Sequence, residues 1–115
     1  MYRIVTNHCL PAVTIDRLHT SALLLRGAFG PVYLVGSALG RTTWRDIDVR
    51  AVCDVSNVVL EAILSDWLSV NVRAKVDFQF RTQTQIAANY SGNPAFVLGD
   101  NKPLQILALK VTMAG

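Results

Sequence analysis

The chain has 115 residues, 51% of them hydrophobic and 17% charged; that is the length of one ordinary domain and a composition that argues against disorder. Its net charge of +3 favours anionic partners but falls short of the dense basic surface of a dedicated DNA binder. Cys9 and Cys53 have no CxxC or Cys/His spacing, which argues against a disulfide framework or a structural zinc site, and both read as small reduced hydrophobes. Apolar runs such as Ala22 to Leu25 and Pro31 to Val35 are too short to span a bilayer. The N-terminus, Met1 to Asn7, lacks the apolar stretch of a signal peptide. A cytoplasmic location without membrane contact is the expectation.

In chain order, Arg3 to Thr6 reads as a short strand. The residues Ile15, Leu18, Ala22, Leu25 and Phe29 recur at spacings of three and four, predicting a helix with Thr14 as its N-cap and Gly27 near its end. Gly30-Pro31 breaks it, and Val32 to Val35 is a buried strand that ends at Gly36-Ser37. A second strand covers Asp46 to Val52. Ser56 is positioned to cap a helix whose Val59, Leu60, Ile63, Leu64 and Trp67 form the apolar stripe, with Asn57, Glu61 and Ser65 opposite. From Val72 to Arg81 the apolar residues Val72, Ala74, Val76, Phe78 and Phe80 alternate with polar ones, the period of a half-buried strand. Thr82 to Tyr90 reads as a short helix, Ser91 to Pro94 as a turn, and Leu104 to Val111 as an apolar segment compatible with helix or strand. Without repeats or a linker, residues 1–115 are expected to form one domain of the α/β (α+β) class, a small mixed β-sheet with flanking helices.

The chemistry-bearing residues lie at the strand ends. Alternate residues of a strand share a face, so Asp46 and Asp48 converge while Ile47 and Val49 point away. Two adjacent carboxylates are costly unless a cation neutralises them, and hard oxygen ligands suit Mg²⁺. The same parity sets Asp77 on the polar face of the later strand, where strand pairing would bring it beside the first two. Three carboxylates can hold two metal ions about 3.5–4 Å apart, the arrangement that serves an in-line phosphoryl displacement. At Gly36-Ser37, glycine permits close backbone approach, and the turn N–H groups and the Ser37 hydroxyl can bind phosphate oxygens. Arg41, Arg45, Arg50, Arg73, Lys75 and Arg81 surround these carboxylates in sequence. Of them, Arg50 and Lys75 share strand faces with Asp48 and Asp77 and are the best placed to meet a triphosphate. Each feature alone is ordinary, since surface strands often carry paired acids and Gly-Ser is common in turns. His8 and His19 have no metal-ligand companions and read as packing or surface residues, and Trp44 and Trp67 as core residues.

The run Val32-Tyr33-Leu34-Val35-Gly36-Ser37, followed by Arg45-Asp46-Ile47-Asp48-Val49-Arg50 and then by Val76-Asp77-Phe78-Gln79-Phe80, resembles the nucleotidyltransferase superfamily related to DNA polymerase β, and is closest to its minimal, single-domain members. The resemblance covers Pro31 to about Arg81. It implies that Asp46, Asp48 and Asp77 bind Mg²⁺, that Gly36 and Ser37 contact the triphosphate, and that a nucleoside monophosphate passes to a hydroxyl of RNA, protein or a small molecule. The eight residues from Ala38 to Arg45 leave room for about one helical turn between Ser37 and Asp46. Beyond the stretch after Arg81, no room is expected for the separate acceptor-gripping domain of the larger relatives. By the same likeness a small helical protein would supply that surface, and the apolar composition separately suggests a homo-oligomer. The alternative expectation is a non-catalytic nucleotide-binding or partner-binding module on the same fold.

Overall fold

A computed structural model describes residues 1–55 and 57–99. The expectations for Ser56 and for Leu104 to Val111 lie outside the described residues. The elements in chain order are β1 (Arg3–Ile4), α1 (Ala12–Phe29), β2 (Val32–Val35), a 3-10 turn (Ser37–Leu39), β3 (Ile47–Val52), α2 (Val58–Val72), β4 (Val76–Arg81), α3 (Gln83–Gln85) continuing as a π-helical turn (Ile86–Tyr90), and β5 (Pro94–Leu98). They form one five-stranded mixed sheet of order β1-β5-β2-β3-β4, so the fold is the small mixed α/β domain that the sequence patterns predict. No helix among the described residues is long and apolar enough to cross a membrane.

One face of the sheet is dry. Val32 and Leu34 of β2, Ile47, Val49 and Ala51 of β3, and Val76, Phe78 and Phe80 of β4 are buried against Leu18, Ala22 and Leu25 of α1 and Leu68 and Val72 of α2. The strand period of two therefore sends Tyr33, Val35, Asp48, Arg50, Asp77, Gln79 and Arg81 to the opposite face. Among the described residues no long helix covers that second face; Tyr2 and the segment from Gln83 to Asn93 border it.

Several local expectations are corrected. Helix α1 starts at Ala12, not after Thr14: Pro11 is the cap residue, and its carbonyl accepts from the N–H groups of Thr14 and Ile15 at 3.0 Å each. Gly27 is near the end of the helix as expected, and the helix closes at Gly30 through a bond from Gly30 N to Arg26 O. Val72 and Arg73 do not begin a strand. Val72 is the last residue of α2, and Arg73 turns left-handed (φ 62°) with its N–H on Ser69 O, so the alternation of apolar residues from 72 to 76 runs across a helix end. The segment Pro94–Leu98, beyond the predicted turn, is a strand that inserts between β1 and β2, parallel to the first and antiparallel to the second. Thr82 caps α3 in a capping box with Gln85.

The largest correction concerns α2. Its cap is the Asn57 side chain, which accepts from Leu60 N, and the helix is rotated from the expected orientation. Val59 and Ile63 are exposed, while Glu61, Ser65 and Ser69 face the outer edge of β4. The N–H groups of Phe80, Phe78 and Val76 donate to Glu61 Oε2 (2.8 Å), Ser65 Oγ (2.8 Å) and Ser69 Oγ (2.9 Å) in turn. The ladder is a match of rises: four helical residues climb about 6 Å and two strand residues about 6.6 Å. β4 is an edge strand, so its outward N–H groups must find acceptors, and each one left unsatisfied in a covered position costs about 1–3 kcal/mol. Summed over three N–H groups, that is comparable with or larger than the burial of two aliphatic side chains at about 1.5–3 kcal/mol each. Ser65→Ala, which strips Phe78 N of its acceptor, is expected to lower unfolding stability in urea by about 1–3 kcal/mol, while Ile63→Ser on the exposed side changes it little. Equal effects of the two would contradict the edge-capping role.

Candidate active site

The polar face of the sheet brings the carboxylates together by register. Val35 of β2 pairs with Asp48 of β3, and Asp48 with Asp77 of β4, so Asp48 and Asp77 stand side by side as parity requires. Asp46 lies just before β3, and Lys75 just before β4 reaches it, with Lys75 Nζ 3.5 Å from Asp46 Oδ1. That oxygen is out of contact with solvent and has no hydrogen-bond donor. The Lys75 side chain itself is 76% exposed.

Like charges directly opposite on neighbouring strands repel, and here Arg50 offsets the repulsion. Its Nη2 lies 3.3 Å from Asp77 Oδ2 and 3.9 Å from Asp48 Oδ1. Its Nη1 donates to the backbone carbonyls of Asp77 (2.9 Å) and Val49 (3.0 Å). Gln79 Nε2 donates to the same Asp77 oxygen at 3.3 Å, and Arg81 Nη2 donates in turn to Gln79 Oε1. Burial pushes the Asp48 carboxyl above the ordinary aspartate range; Arg50 works against this, and Asp77 and Asp46 add to it.

Gly36 joins the turn to this cluster. It adopts φ 80° and ψ −156°, a region open essentially to glycine alone. A Cβ there would overlap Asp48 Oδ2 and stand 3.2 Å from its Cγ. The turn beyond it is a single 3-10 turn, closed by bonds from Gly40 N and Arg41 N to Ser37 O, which accommodates the short spacer. Two cavities meet at Gly36. One, of about 670 Å³, is an open cleft bordered by Thr6, Asn7, Ser37, Gly40 and Arg41. The other, of about 320 Å³, is bordered by Tyr2, Asp48, Arg50, Arg81, Tyr90 and Asn93. Burial raises the Tyr2 phenol above its ordinary range although Arg50 and Arg81 pull it down, and the Arg81 guanidinium lies 5.3 Å from the centre of the Tyr90 ring.

Three features fit a divalent cation: the orphaned Asp46 oxygen, the cradle that Gly36 leaves beside Asp48, and an all-oxygen donor set of the hard kind that Mg²⁺ prefers. Among the described residues no three His, Cys, Asp or Glu side chains gather closely enough to cage an ion. Mg²⁺ commonly takes one or two carboxylates and completes its shell with phosphate oxygens and water, a demand that Asp46 and Asp48 can meet.

The sequence patterns located Gly36, Ser37, Asp46, Asp48 and Asp77, and the fold brings all five to one rim. Arg50 is also there, but it is turned onto Asp77, and Lys75 lies at Asp46. Tyr2, Tyr90 and Asn93 escaped sequence reasoning, since they come from the N-terminus and the turn before β5 and have no mutual spacing to mark them. His19 is half-buried and accepts from Gly99 N at 3.0 Å, a packing role. Comparison with known proteins adds no relative: no family model, no curated protein and no solved structure matches the chain.

Proposed function

We propose that the protein binds a nucleoside triphosphate with Mg²⁺ at the Gly36-Ser37 turn and transfers the nucleoside monophosphate to a hydroxyl acceptor. The observation that carries this reading is the register that sets Asp48 beside Asp77 and directly against the Gly36 turn. The resemblance of these same segments to nucleotidyltransferases supports it. Bound Mg²⁺ would neutralise charge on the triphosphate and withdraw electrons from the phosphorus centre. Asp46 and Asp48 would hold the ion, the Ser37 hydroxyl and the turn backbone would hold phosphate oxygens, and the 670 Å³ cleft would take the nucleoside. In the reaction the acceptor oxygen bonds to the α-phosphorus as the bond from that phosphorus to the α,β-bridging oxygen breaks, and pyrophosphate leaves with the electron pair. The acceptor proton passes to Asp77: its Oδ2 is held by Arg50 and Gln79, and its other carboxylate oxygen can take the proton and release it to solvent.

A second reading, a nucleotide-binding module without transfer, is favoured by one observation, the engagement of Asp77 by Arg50. Incubation of the protein with Mg²⁺ and each of ATP, GTP, CTP and UTP, in the presence of RNA, protein and small-alcohol acceptors, separates the two. Metal-dependent pyrophosphate release with α-phosphate label on an acceptor is expected. Triphosphate bound without pyrophosphate release from any acceptor would leave the module reading in its place.

A further inference from the structure

Resting on the triphosphate site just described, we infer that Arg50 takes the place of the second divalent cation, so that the nucleotide-loaded protein carries one ion, at Asp46 and Asp48, instead of two. The three carboxylates are not equally available. On the Asp46 side the cationic contact among the described residues comes from Lys75, a side chain 76% exposed and held at 3.5 Å, which can swing into solvent at little cost because an exposed ion pair is worth about 0–1 kcal/mol. On the Asp77 side the guanidinium is 12% exposed. It is anchored by the carbonyls of Val49 and Asp77 as well as by the carboxylates.

Those two backbone bonds decide the matter, because they keep the guanidinium in place even when an ion neutralises Asp48. Asp77 Oδ2 already accepts from both Arg50 and Gln79, which takes up its lone pairs and leaves only the other carboxylate oxygen, the one assigned to the acceptor proton. An ion placed there would stand within a few ångströms of a fixed positive charge, and displacing Arg50 would leave a buried guanidinium without its partner. The local charge balance agrees. Asp48 and Asp77 need a positive counter-charge between them, and Arg50 supplies it in planar, multiply hydrogen-bonded form, as guanidinium does where carboxylates must be held in a fixed geometry. Arg50 is thus a positioning residue that holds Asp77 to Asp48 and limits the metal content of the site.

The ion count tests this directly. The full chain is dialysed to equilibrium against Mn²⁺ with saturating α,β-methylene ATP, or the corresponding guanosine, cytidine or uridine analogue, and the Mn²⁺ retained per bound nucleotide is measured. One ion is expected for the wild type. Asp77→Asn, which leaves Asp46 and Asp48 intact, should also retain one ion per bound nucleotide. Arg50→Gln, checked for folding by circular dichroism, should retain two. Two ions in the wild type, loss of the ion in Asp77→Asn, or a single ion in folded Arg50→Gln would each overturn the inference. If Arg50→Gln does not fold, the wild-type and Asp77→Asn counts decide it. Retention of no nucleotide by the wild type would reject the triphosphate reading and this inference with it, whereas nucleotide retained with two ions would reject the inference alone.

Discussion

Asp48→Asn is expected to weaken Mg²⁺-dependent triphosphate binding at least about thirtyfold while leaving the fold intact. The loss is large because the carboxylate is removed from a half-buried cluster in which it is to hold the ion, and removing one partner of a desolvated charge pair costs about 2–5 kcal/mol. Stability should move the other way. Burial raises the Asp48 carboxyl above its ordinary value of 3.8, against the pull of Arg50 and with the help of Asp77 and Asp46. A carboxyl raised in the folded state contributes stability below its unfolded value and loses that contribution as pH rises through the folded value. At pH 7 the wild type has lost it, and an uncharged asparagine has nothing to lose. The variant should therefore melt above the wild type at neutral pH, with the difference shrinking as pH is lowered toward 3.8. Such an exchange of stability for a charged site is common where ligands are held. Calorimetric titration and thermal melts across that range check both halves. Undiminished binding by the variant would remove Asp48 from the site, and a lower melting temperature at pH 7 would show that its contacts with Arg50 outweigh its burial.

Gly36→Ala should damage both fold and site. The backbone at φ 80° and ψ −156° is strained for any residue with a Cβ, at a cost of about 1–3 kcal/mol, and the added methyl would overlap Asp48 Oδ2. Relief requires either the turn or the carboxylate to move, and either movement separates the phosphate-binding turn from the ion-binding pair. Urea unfolding should register the loss of about 1–3 kcal/mol, and triphosphate binding should disappear with it. Gly40→Ala is the matched control: Gly40 has φ −126°, and a Cβ there meets nothing within 4 Å. Equal behaviour of the two variants would mean that the close approach of Gly36 to Asp48 is not needed.

How far these residues could be found without the fold differs from one to the next. Gly36-Ser37, Asp46, Asp48 and Asp77 were legible because each sits where a strand begins, runs or ends, and side-chain parity along a strand is a local property. That Asp77 would come beside the first two carboxylates also followed from parity, while the register that pairs it with Asp48 was decided by the fold. The engagement of Asp77 by Arg50 did not follow. Parity set Arg50 on the correct face, but whether a long cationic side chain reaches out to a phosphate or across to the neighbouring strand depends on the distance and carbonyls it finds there.

The same division holds for the scaffold. By itself the sequence determined that β3 and β4 each bury one face, that a long helix separates them, and that the carboxylates lie opposite the core, because apolar periodicity is set by neighbours along the chain. Only the tertiary structure decided that α2 turns Glu61, Ser65 and Ser69 inward and leaves Val59 and Ile63 outside. It alone placed Pro94–Leu98 between β1 and β2. The rotation of α2 answers to the open edge of β4, whose N–H groups need acceptors from outside their own strand, and strand order answers to pairings between segments far apart in the chain. Neither demand leaves a mark on local periodicity.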